Sequence, residues 1–173
     1  VDARNPEAYI FYVGQGGLGL PDRSYYLNDT PNNLEVREAY LGFLTTMLET
    51  AGYEDPAAAA QTVYDLEHDM AEAHWDRAIG RNRNLTYNNV TREELIEMGN
   101  GFPVEVLLND MGLGAQETFV VRQVTPTAEE IEEQGLSEEQ LALLGDGVSG
   151  LLEIANTAPI EAWQAYLTAH FLS

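Results

Sequence analysis

Residues 14–27 read GQGGLGLPDRSYYL, and this stretch marks the change from a strand-like start to a helical chain. The residues just before it, 9–13, are aromatic or β-branched and predict a short strand. The glycines predict a turn with positive φ at several positions. We expect the strand to pair with residues 118–124 or with another chain, or else to be poorly ordered, because a cut before residue 1 would leave its edge open.

The same stretch contains a literal GxGxxG match at residues 14–19, preceded by the strand-like run. A dinucleotide site also needs a helix N-terminus directly after the glycines, where the pyrophosphate binds. Here Pro21 follows and disfavours helix at Leu20. The glycines therefore predict a turn and not a nucleotide site.

Beyond this stretch, apolar residues recur at helical spacing in most of the chain. Asp55-Pro56 predicts one helix start, and capping boxes that begin at Thr91 and Ser137 predict two more. The helices are expected at about 34–51, 55–79, 92–98, 103–111, 137–148 and 159–171, with a second strand-like run at 118–124. The predicted fold is mainly α, a multi-helix domain of five or six helices with one or two short extended segments.

The composition excludes several classes of partner. The chain has 173 residues, 29 of them acidic against eight arginines and no lysine, for a net charge of -21. Such a charge repels nucleic acid and anionic membrane surfaces, so we expect no nucleic-acid partner and no membrane contact by this chain. It has no cysteine, which excludes disulfides and cysteine-bound zinc.

The expected organisation is one helical domain over residues 1–173. Residues 1–30 would supply the strand and glycine-rich turn that lead into the helices. Residues 126–140 are acidic and poor in aromatic residues, and we expect a solvated insertion there. The chain starts without methionine and ends straight after a helical pattern, so we expect it to be an internal fragment of a longer protein.

No catalytic or metal site is predicted within the chain. It has no HExxH motif, in which two histidines four residues apart bind zinc. His68 and His74 are six residues apart and would lie on different faces of one helix. His68 and Glu72 could chelate a metal in principle, but the neighbouring acids favour a solvated helix face; these acids are Asp65, Asp69 and Asp76.

Glu67 is the most informative single charge. It falls between Val63 and Met70 on the apolar side of its predicted helix. A buried carboxylate needs a partner, so we expect an ion pair that ties this helix to a loop. The candidate partners are Arg23, Arg81 and Arg83, each beside a predicted turn.

Three segments, in order, resemble the neprilysin and endothelin-converting-enzyme family of zinc metallopeptidases. Residues 17–27 look like that family's Gly-Leu-Gly-Leu-Pro-x-Arg-x-Tyr-Tyr segment. Residues 66–91 resemble its Leu-Glu helix and Tyr-Asn-x-Met-Thr loop, with Val90 in place of Met. Residues 157–167 resemble its Thr-Pro-x-x-x-Trp-x-x-Tyr-Leu pattern, with Ala158 as an extra residue. The structural residues that we take from these segments are Arg23, Glu67, Arg81, Tyr87 and Asn88.

The resemblance implies a role without catalysis for this chain. In that family the polypeptide is several times longer, and its zinc motif and substrate-binding motif lie downstream. The chain would belong to the helical part that faces the catalytic domain across a cavity and restricts entry to small peptides. The implied partners are that catalytic domain and peptide substrates. Zinc is implied for the parent and not for this chain, and the parent is expected to be exported: periplasmic, extracellular or membrane-anchored.

Two other functions stay open at this stage. One is a non-enzymatic helical interaction module that binds a partner through the surfaces of Tyr25, Tyr26 and Trp75. An exposed, contiguous aromatic patch would favour it. The other is an acidic metal-binding domain, which calcium or zinc would stabilise against heat.

Overall fold

The computed structural model describes Asp2, Arg4, Glu7 and residues 9–173. Predictions for the rest of the 1–30 segment, at positions 1, 3, 5, 6 and 8, lie outside the described residues. Within the described part there are nine α-helices, one 3-10 helix and three short strands. The mainly α class is confirmed, but the predicted numbers of helices and extended segments are too low because several one- or two-turn elements escape a periodicity analysis.

The chain divides into two compact units, each built from two separate segments. Unit 1 consists of residues 1–16 and 73–156, and unit 2 of residues 17–72 and 157–173. That the chain forms one domain stays a prediction.

Unit 2 is helical. Its elements are α1 (Ser24–Leu27), α2 (Pro31–Thr50), α3 (Pro56–Ala73) and α9 (Ile160–Leu172). The last residue of α3, Ala73, belongs to unit 1. Thr30 caps α2, since its hydroxyl accepts the Asn33 N–H and Pro31 occupies the first turn. Asp55 accepts the Ala58 N–H before α3, which confirms the predicted helix start.

Unit 1 contains a three-stranded sheet in the order β1-β3-β2. Its strands are β1 (Phe11–Val13), β2 (Asn88–Thr91) and β3 (Thr118–Val121). β1 runs parallel to β3, which confirms the predicted pairing of residues 9–13 with 118–124, and β2 runs antiparallel to β3. Residues 81–90, which include most of β2, were expected as a loop. The residues of β2 are mostly polar, and the structure half-buries only alternate positions.

The helices of unit 1 follow the sheet strands along the chain. They are the 3-10 helix Ile79–Arg81, α4 (Arg92–Met98), α5 (Val104–Asp110), α6 (Ala128–Gln134), α7 (Glu138–Leu141) and α8 (Gly147–Thr157). The capping boxes at Thr91 and Ser137 are confirmed, and a third at Thr127 begins the unexpected α6. The helix expected over 137–148 is wrong, because Gly147 has a φ of 63° and α8 starts anew there.

The helix expected over 55–79 ends earlier, at Ala73. Tertiary hydrogen bonds replace the helical ones beyond that point. Gln15 accepts the Trp75 N–H and donates to the Trp75 carbonyl, and the Asp76 N–H donates to the Leu143 carbonyl. Partners distant in sequence therefore satisfy these backbone groups where the chain leaves the helix.

Each unit has its own apolar core. In unit 1, Phe119 and Val121 of β3 are fully buried against α4, α5 and α8 through Leu95, Val104 and Val148. A second cluster of the same unit is Trp75, Ile79 and Leu85 with Leu136, Leu143 and Leu144. In unit 2, Leu20, Tyr26 and Ala71 form the centre.

Two of the aromatic residues proposed for a partner surface are part of these cores. Tyr26 and Trp75 are each 1% exposed, and Tyr25 is half-buried. The interaction module built on their exposed surfaces is therefore wrong.

Residues 126–140 contain α6 and α7 and have no buried residue. That they form an insertion stays a prediction. Across the part of the chain that the structure describes, no helix combines the length and apolarity required to cross a bilayer.

Candidate functional site

Glu67 is the buried charge of unit 2. It lies on α3 between Val63 and Met70, both in the core, and its own exposure is 0%. Val63 and Met70 each lie about one helical turn from Glu67 on the same face of α3. The backbone of α3 therefore directs the carboxylate inward. The predicted burial of Glu67 is confirmed.

Three side chains from the other helices of unit 2 hold the carboxylate. The Tyr26 hydroxyl on α1 donates to Oε2 over 2.7 Å, and the Tyr40 hydroxyl on α2 donates to Oε1 over 2.9 Å. His170 Nε2 on α9 lies 2.6 Å from Oε1. Glu67 thus joins α1, α2, α3 and α9 through one group. We call Glu67, Tyr26, Tyr40 and His170 the carboxylate cluster.

The predicted arginine partner of Glu67 is wrong. Two phenol hydroxyls and an imidazole fill the places where an arginine was expected, because α1, α2 and α9 converge on α3 there. Arg23 lies at the N-cap of α1 in unit 2. Arg81 ends the 3-10 helix and Arg83 follows it, both in unit 1 and both exposed.

A second layer of contacts fixes these donors. Tyr26 Oη accepts the Leu20 N–H over 2.9 Å, which leaves its proton for Glu67. The Tyr166 ring packs against the His170 ring, with the centroids 4.2 Å apart and the planes tilted by 41°, and the Tyr166 hydroxyl donates to the Gly17 carbonyl. Burial, followed by the nearby Glu67 charge, raises the pKa of Tyr26, Tyr40 and Tyr166. These hydroxyls therefore keep their protons at neutral pH and remain donors.

Two of the glycines in residues 14–19 occupy positions that another residue would not readily take. A Cβ on Gly19 would overlap the Tyr40 hydroxyl, so only glycine leaves that hydroxyl room to reach Glu67. Gly17 has a φ of 94°, which L side chains rarely adopt. The expectation of positive φ at several of these glycines is wrong, since within 14–19 Gly17 alone has it.

A cavity of about 200 Å³ lies beside the cluster. Leu18, Tyr40, Phe43 and His170 contribute to its lining. Among the residues that the structure describes, no serine or threonine hydrogen-bonds to a side chain of the cluster, and Ser173 donates only to the backbone carbonyl of His170. Three donors already occupy the carboxylate. The arrangement is suited to holding helices together and has no group placed to attack a substrate.

The three histidines lie in separate surroundings. His68 gathers with Asp69 and Glu72, with ligand atoms within 4.8 Å of one another, on a largely exposed face of α3. His74 Nε2 lies 3.1 Å from the Gly16 carbonyl, and His170 contacts Glu67. They do not assemble the histidine set of a peptidase zinc within the described residues.

The remaining sequence-predicted residues lie in unit 1. Asn88 Nδ2 donates to the carbonyls of Leu85 and Val121, which attaches the start of β2 to β3. The Tyr87 hydroxyl donates to Asp2 Oδ1 over 2.6 Å, and this bond raises the pKa of Tyr87 to about 12. Tyr87 and Arg81 line the same open cleft. Structural roles for Arg23, Arg81, Tyr87 and Asn88 stay predictions.

The sequence analysis did not identify the residues that complete the carboxylate cluster. Tyr26, Tyr40 and His170 lie 41, 27 and 103 residues from Glu67. One signal was available: a carboxylate on an apolar helix face in a chain rich in tyrosine favours phenol donors as well as arginine.

Comparison with known proteins identifies relatives of this chain. The model of the N-terminal region of peptidase family M13 matches residues 1–173. Over 97 residues, 54% of this chain, it is 34% identical to endothelin-converting enzyme 1 of Cavia porcellus, and it covers 13% of that protein. It is 30% identical over 96 residues to an endothelin-converting enzyme homolog of Locusta migratoria, again 13% of that protein.

Solved structures of a zinc metalloprotease resemble this chain over nearly its whole length. The open state of the zinc metalloprotease Zmp1 of Mycobacterium tuberculosis superposes with a TM-score of 0.72 at 26% identity over 95% of this chain. Zmp1 in complex with an inhibitor superposes with a TM-score of 0.71 at 25% identity over 92%. In both cases this chain spans 22% of the Zmp1 chain.

Proposed function

Because this chain belongs to peptidase family M13, we propose that it is the non-catalytic helical region of a zinc metalloendopeptidase. In this role it forms a wall or lid of the cavity that admits small peptides to the catalytic domain. The observation that carries the proposal is the family match over residues 1–173 in a sequence with no HExxH motif. The remaining, larger part of such a protein would supply the chemistry, since this chain spans 22% of the Zmp1 chain.

The residues of this chain do not fit a catalytic zinc. A peptidase zinc needs three protein ligands and an open position for water. His68, His74 and His170 each have different neighbours in the described residues, and the acids beside His68 are exposed. Zinc would belong to the parent's catalytic domain, which is the proposed partner of this chain, and peptides would be its substrates. We also propose that the parent is exported.

The carboxylate cluster supports a mechanical role. A wall that excludes large substrates must hold its shape against thermal motion. Glu67, which is fully buried, links four helices of unit 2 through three hydrogen bonds: the one to Tyr26 is buried, and those to Tyr40 and His170 are part-buried. Such bonds to a buried charge are stronger than exposed ones, so they suit a rigid element.

The absence of catalysis is tested on the chain alone. We expect the purified chain, incubated with zinc and a quenched fluorogenic peptide, to show no cleavage and to retain no stoichiometric zinc after desalting. Cleavage that survives repurification and is abolished by His68→Ala or His74→Ala would place a site in this chain and overturn the proposal.

The wall role is tested on the full-length polypeptide. We expect cleavage rates to fall steeply as peptides of one repeating sequence grow longer. A Glu67→Ala variant should accept longer peptides relative to short ones, whereas Glu72→Ala, an exposed change on the same helix, should keep the original length profile. A flat length profile in the unmodified polypeptide would exclude the wall role.

A further inference from the structure

Half of the protein's arginines line one cleft in unit 1. The cleft has a volume of about 710 Å³, and its lining includes Arg4, Arg81, Arg83 and Arg122. No aspartate or glutamate is among its lining residues within the described part of the chain. In a protein with 29 acidic residues and eight basic ones, this is a local reversal of charge. We call these four residues the arginine cleft.

Two of the guanidinium groups lie over tyrosine rings. Arg4 lies over the Tyr87 ring at 4.2 Å, and Arg122 lies over the Tyr12 ring at 5.1 Å. A guanidinium over a ring is attracted to the ring face through its charge, and this contact uses none of its N–H donors. The tyrosine rings thus hold two guanidinium groups in place and leave their N–H donors available to a ligand.

The other two arginines have no anionic partner among the described residues. Arg81 and Arg83 are exposed, and neither forms an ion pair or a side-chain hydrogen bond with any residue that the structure describes. The Asp2 carboxylate lies beside the cleft and accepts a hydrogen bond from the hydroxyl of the lining residue Tyr87. Gathering like charges raises the free energy of the free protein, and a bound anion offsets that cost.

We propose that the arginine cleft binds the carboxylate groups of an acidic peptide segment. Guanidinium binds carboxylate through two parallel hydrogen bonds. The cleft volume exceeds by far what one inorganic anion fills, and Tyr12, Tyr87 and Gln123 add ring faces and an amide along its lining. The net charge of -21 repels any polyanion at long range, but it repels nucleic acid, which carries one negative charge per about 1.7 Å of duplex, more strongly than a short peptide with a few carboxylates. This proposal does not depend on the peptidase role, because binding needs the chain alone.

The test is fluorescence anisotropy with the 173-residue chain and two labelled peptides. One is a hexaglutamate peptide and the other is a hexaglutamine peptide of the same length and label. We expect the glutamate peptide to bind at least about tenfold more tightly, and the affinity to fall as sodium chloride is raised, since exposed charge pairs are screened by salt. Inorganic phosphate serves as the competitor.

Matched variants then locate the site. Arg83→Gln should weaken binding of the glutamate peptide about fivefold, and Arg81→Gln with Arg83→Gln together more than about tenfold. Arg77→Gln removes one exposed positive charge outside the lining residues and should change binding less than about twofold. Circular dichroism verifies that each variant is folded.

Three results would overturn the proposal. Equal binding of the two peptides would show that carboxylates are not recognised. An equal loss in Arg77→Gln and Arg83→Gln would show a response to net charge rather than to the cleft. Displacement by phosphate at concentrations similar to the peptide's would assign a site for small inorganic anions instead.

Discussion

Tyrosine is used in opposite ways in the two units. In unit 2, Tyr26 and Tyr40 turn their hydroxyls toward a carboxylate that is shut away from water. In unit 1, Tyr12 and Tyr87 turn their ring faces toward guanidinium groups that remain open to solvent. The difference shows how one residue type serves either a closed polar network, which stabilises a fold, or an open one, which leaves charge free for a ligand.

The energetics of the two arrangements differ accordingly. Removing a partner from a buried, hydrogen-bonded charge leaves unpaired groups in a medium of low dielectric and is costly. Removing an exposed arginine that has no partner costs little, because water already solvates it. Stability measurements therefore separate the carboxylate cluster from the arginine cleft.

The largest expected effect is at Glu67. Glu67→Ala should lower the free energy of unfolding by roughly 2–5 kcal/mol, because Tyr26, Tyr40 and His170 lose their common acceptor. Urea unfolding followed by circular dichroism measures this. Glu72→Ala on the exposed side of α3 is the control and should stay within about 0.5 kcal/mol of the unmodified chain. Equal stability of the two variants would mean that the cluster does not support the fold.

A smaller effect is expected at Tyr26. Tyr26→Phe removes the donor to Glu67 Oε2 and the acceptor of the Leu20 N–H, and should cost about 1.5–3 kcal/mol. Tyr25→Phe is the matched control, since the Tyr25 hydroxyl has no hydrogen bond to the described residues. Calorimetric melting of both variants gives the comparison, and a Tyr26→Phe melt that coincides with that of Tyr25→Phe would contradict it.

Alkaline pH offers a test without mutation. The pKa values of Tyr26 and Tyr40 are raised above the ordinary 10.0, so above that pH the folded chain holds protons that the unfolded chain has released. The two tyrosines therefore make their full contribution to the free energy of unfolding below pH 10. Above pH 10 the free energy of unfolding falls as pH rises, by up to about 1.4 kcal/mol per pH unit for each tyrosine. Urea unfolding at pH 9, 10 and 11 measures the slope.

The control for this pH dependence is the double variant of Tyr26→Phe and Tyr40→Phe. It lacks the two shielded phenols, and its stability should depend less steeply on pH in the same interval. A slope that is unchanged in the double variant would assign the dependence to other tyrosines.

The smallest effect is expected in the arginine cleft. Arg81→Gln and Arg83→Gln should each change the free energy of unfolding by less than about 0.5 kcal/mol. At low salt each variant should be slightly more stable than the unmodified chain, because removing one arginine reduces the repulsion among the positive charges of the cleft. Thermal melts at two sodium chloride concentrations measure this. A loss above about 1 kcal/mol in either variant would mean that these side chains support the fold and are not free for a ligand.

Local chemistry accounts for the features that could be predicted. Asp55-Pro56 and the capping boxes at Thr91 and Ser137 begin helices where expected, because a cap needs only residues within three positions. The two strand-like runs at 9–13 and 118–124 made the pairing of β1 with β3 one of three outcomes expected for the first strand. β2 was missed because Asn88, Asn89 and Thr91 give no apolar alternation.

Distant contacts account for the errors. The end of α3 depends on Gln15, which lies 60 residues away from Trp75. For Glu67, the apolar spacing of its helix revealed burial, whereas its partners depend on how α1, α2 and α9 pack. The arginine cleft was also missed, since Arg4, Arg81 and Arg122 are brought together by the sheet and the loop before β2.

The discontinuity of both units bears on how the chain is made. Gln15 bonds to Gln123 108 residues later, and Glu67 meets His170 103 residues later. On the ribosome, the early part of each unit emerges long before the segment that completes it. Glu67 then has only its two phenols until α9 is released, and β1 waits for β3. Contacts of such long sequence separation slow folding, so this chain should acquire its native state only after α9 has been synthesised, and more slowly than a helical bundle of local contacts.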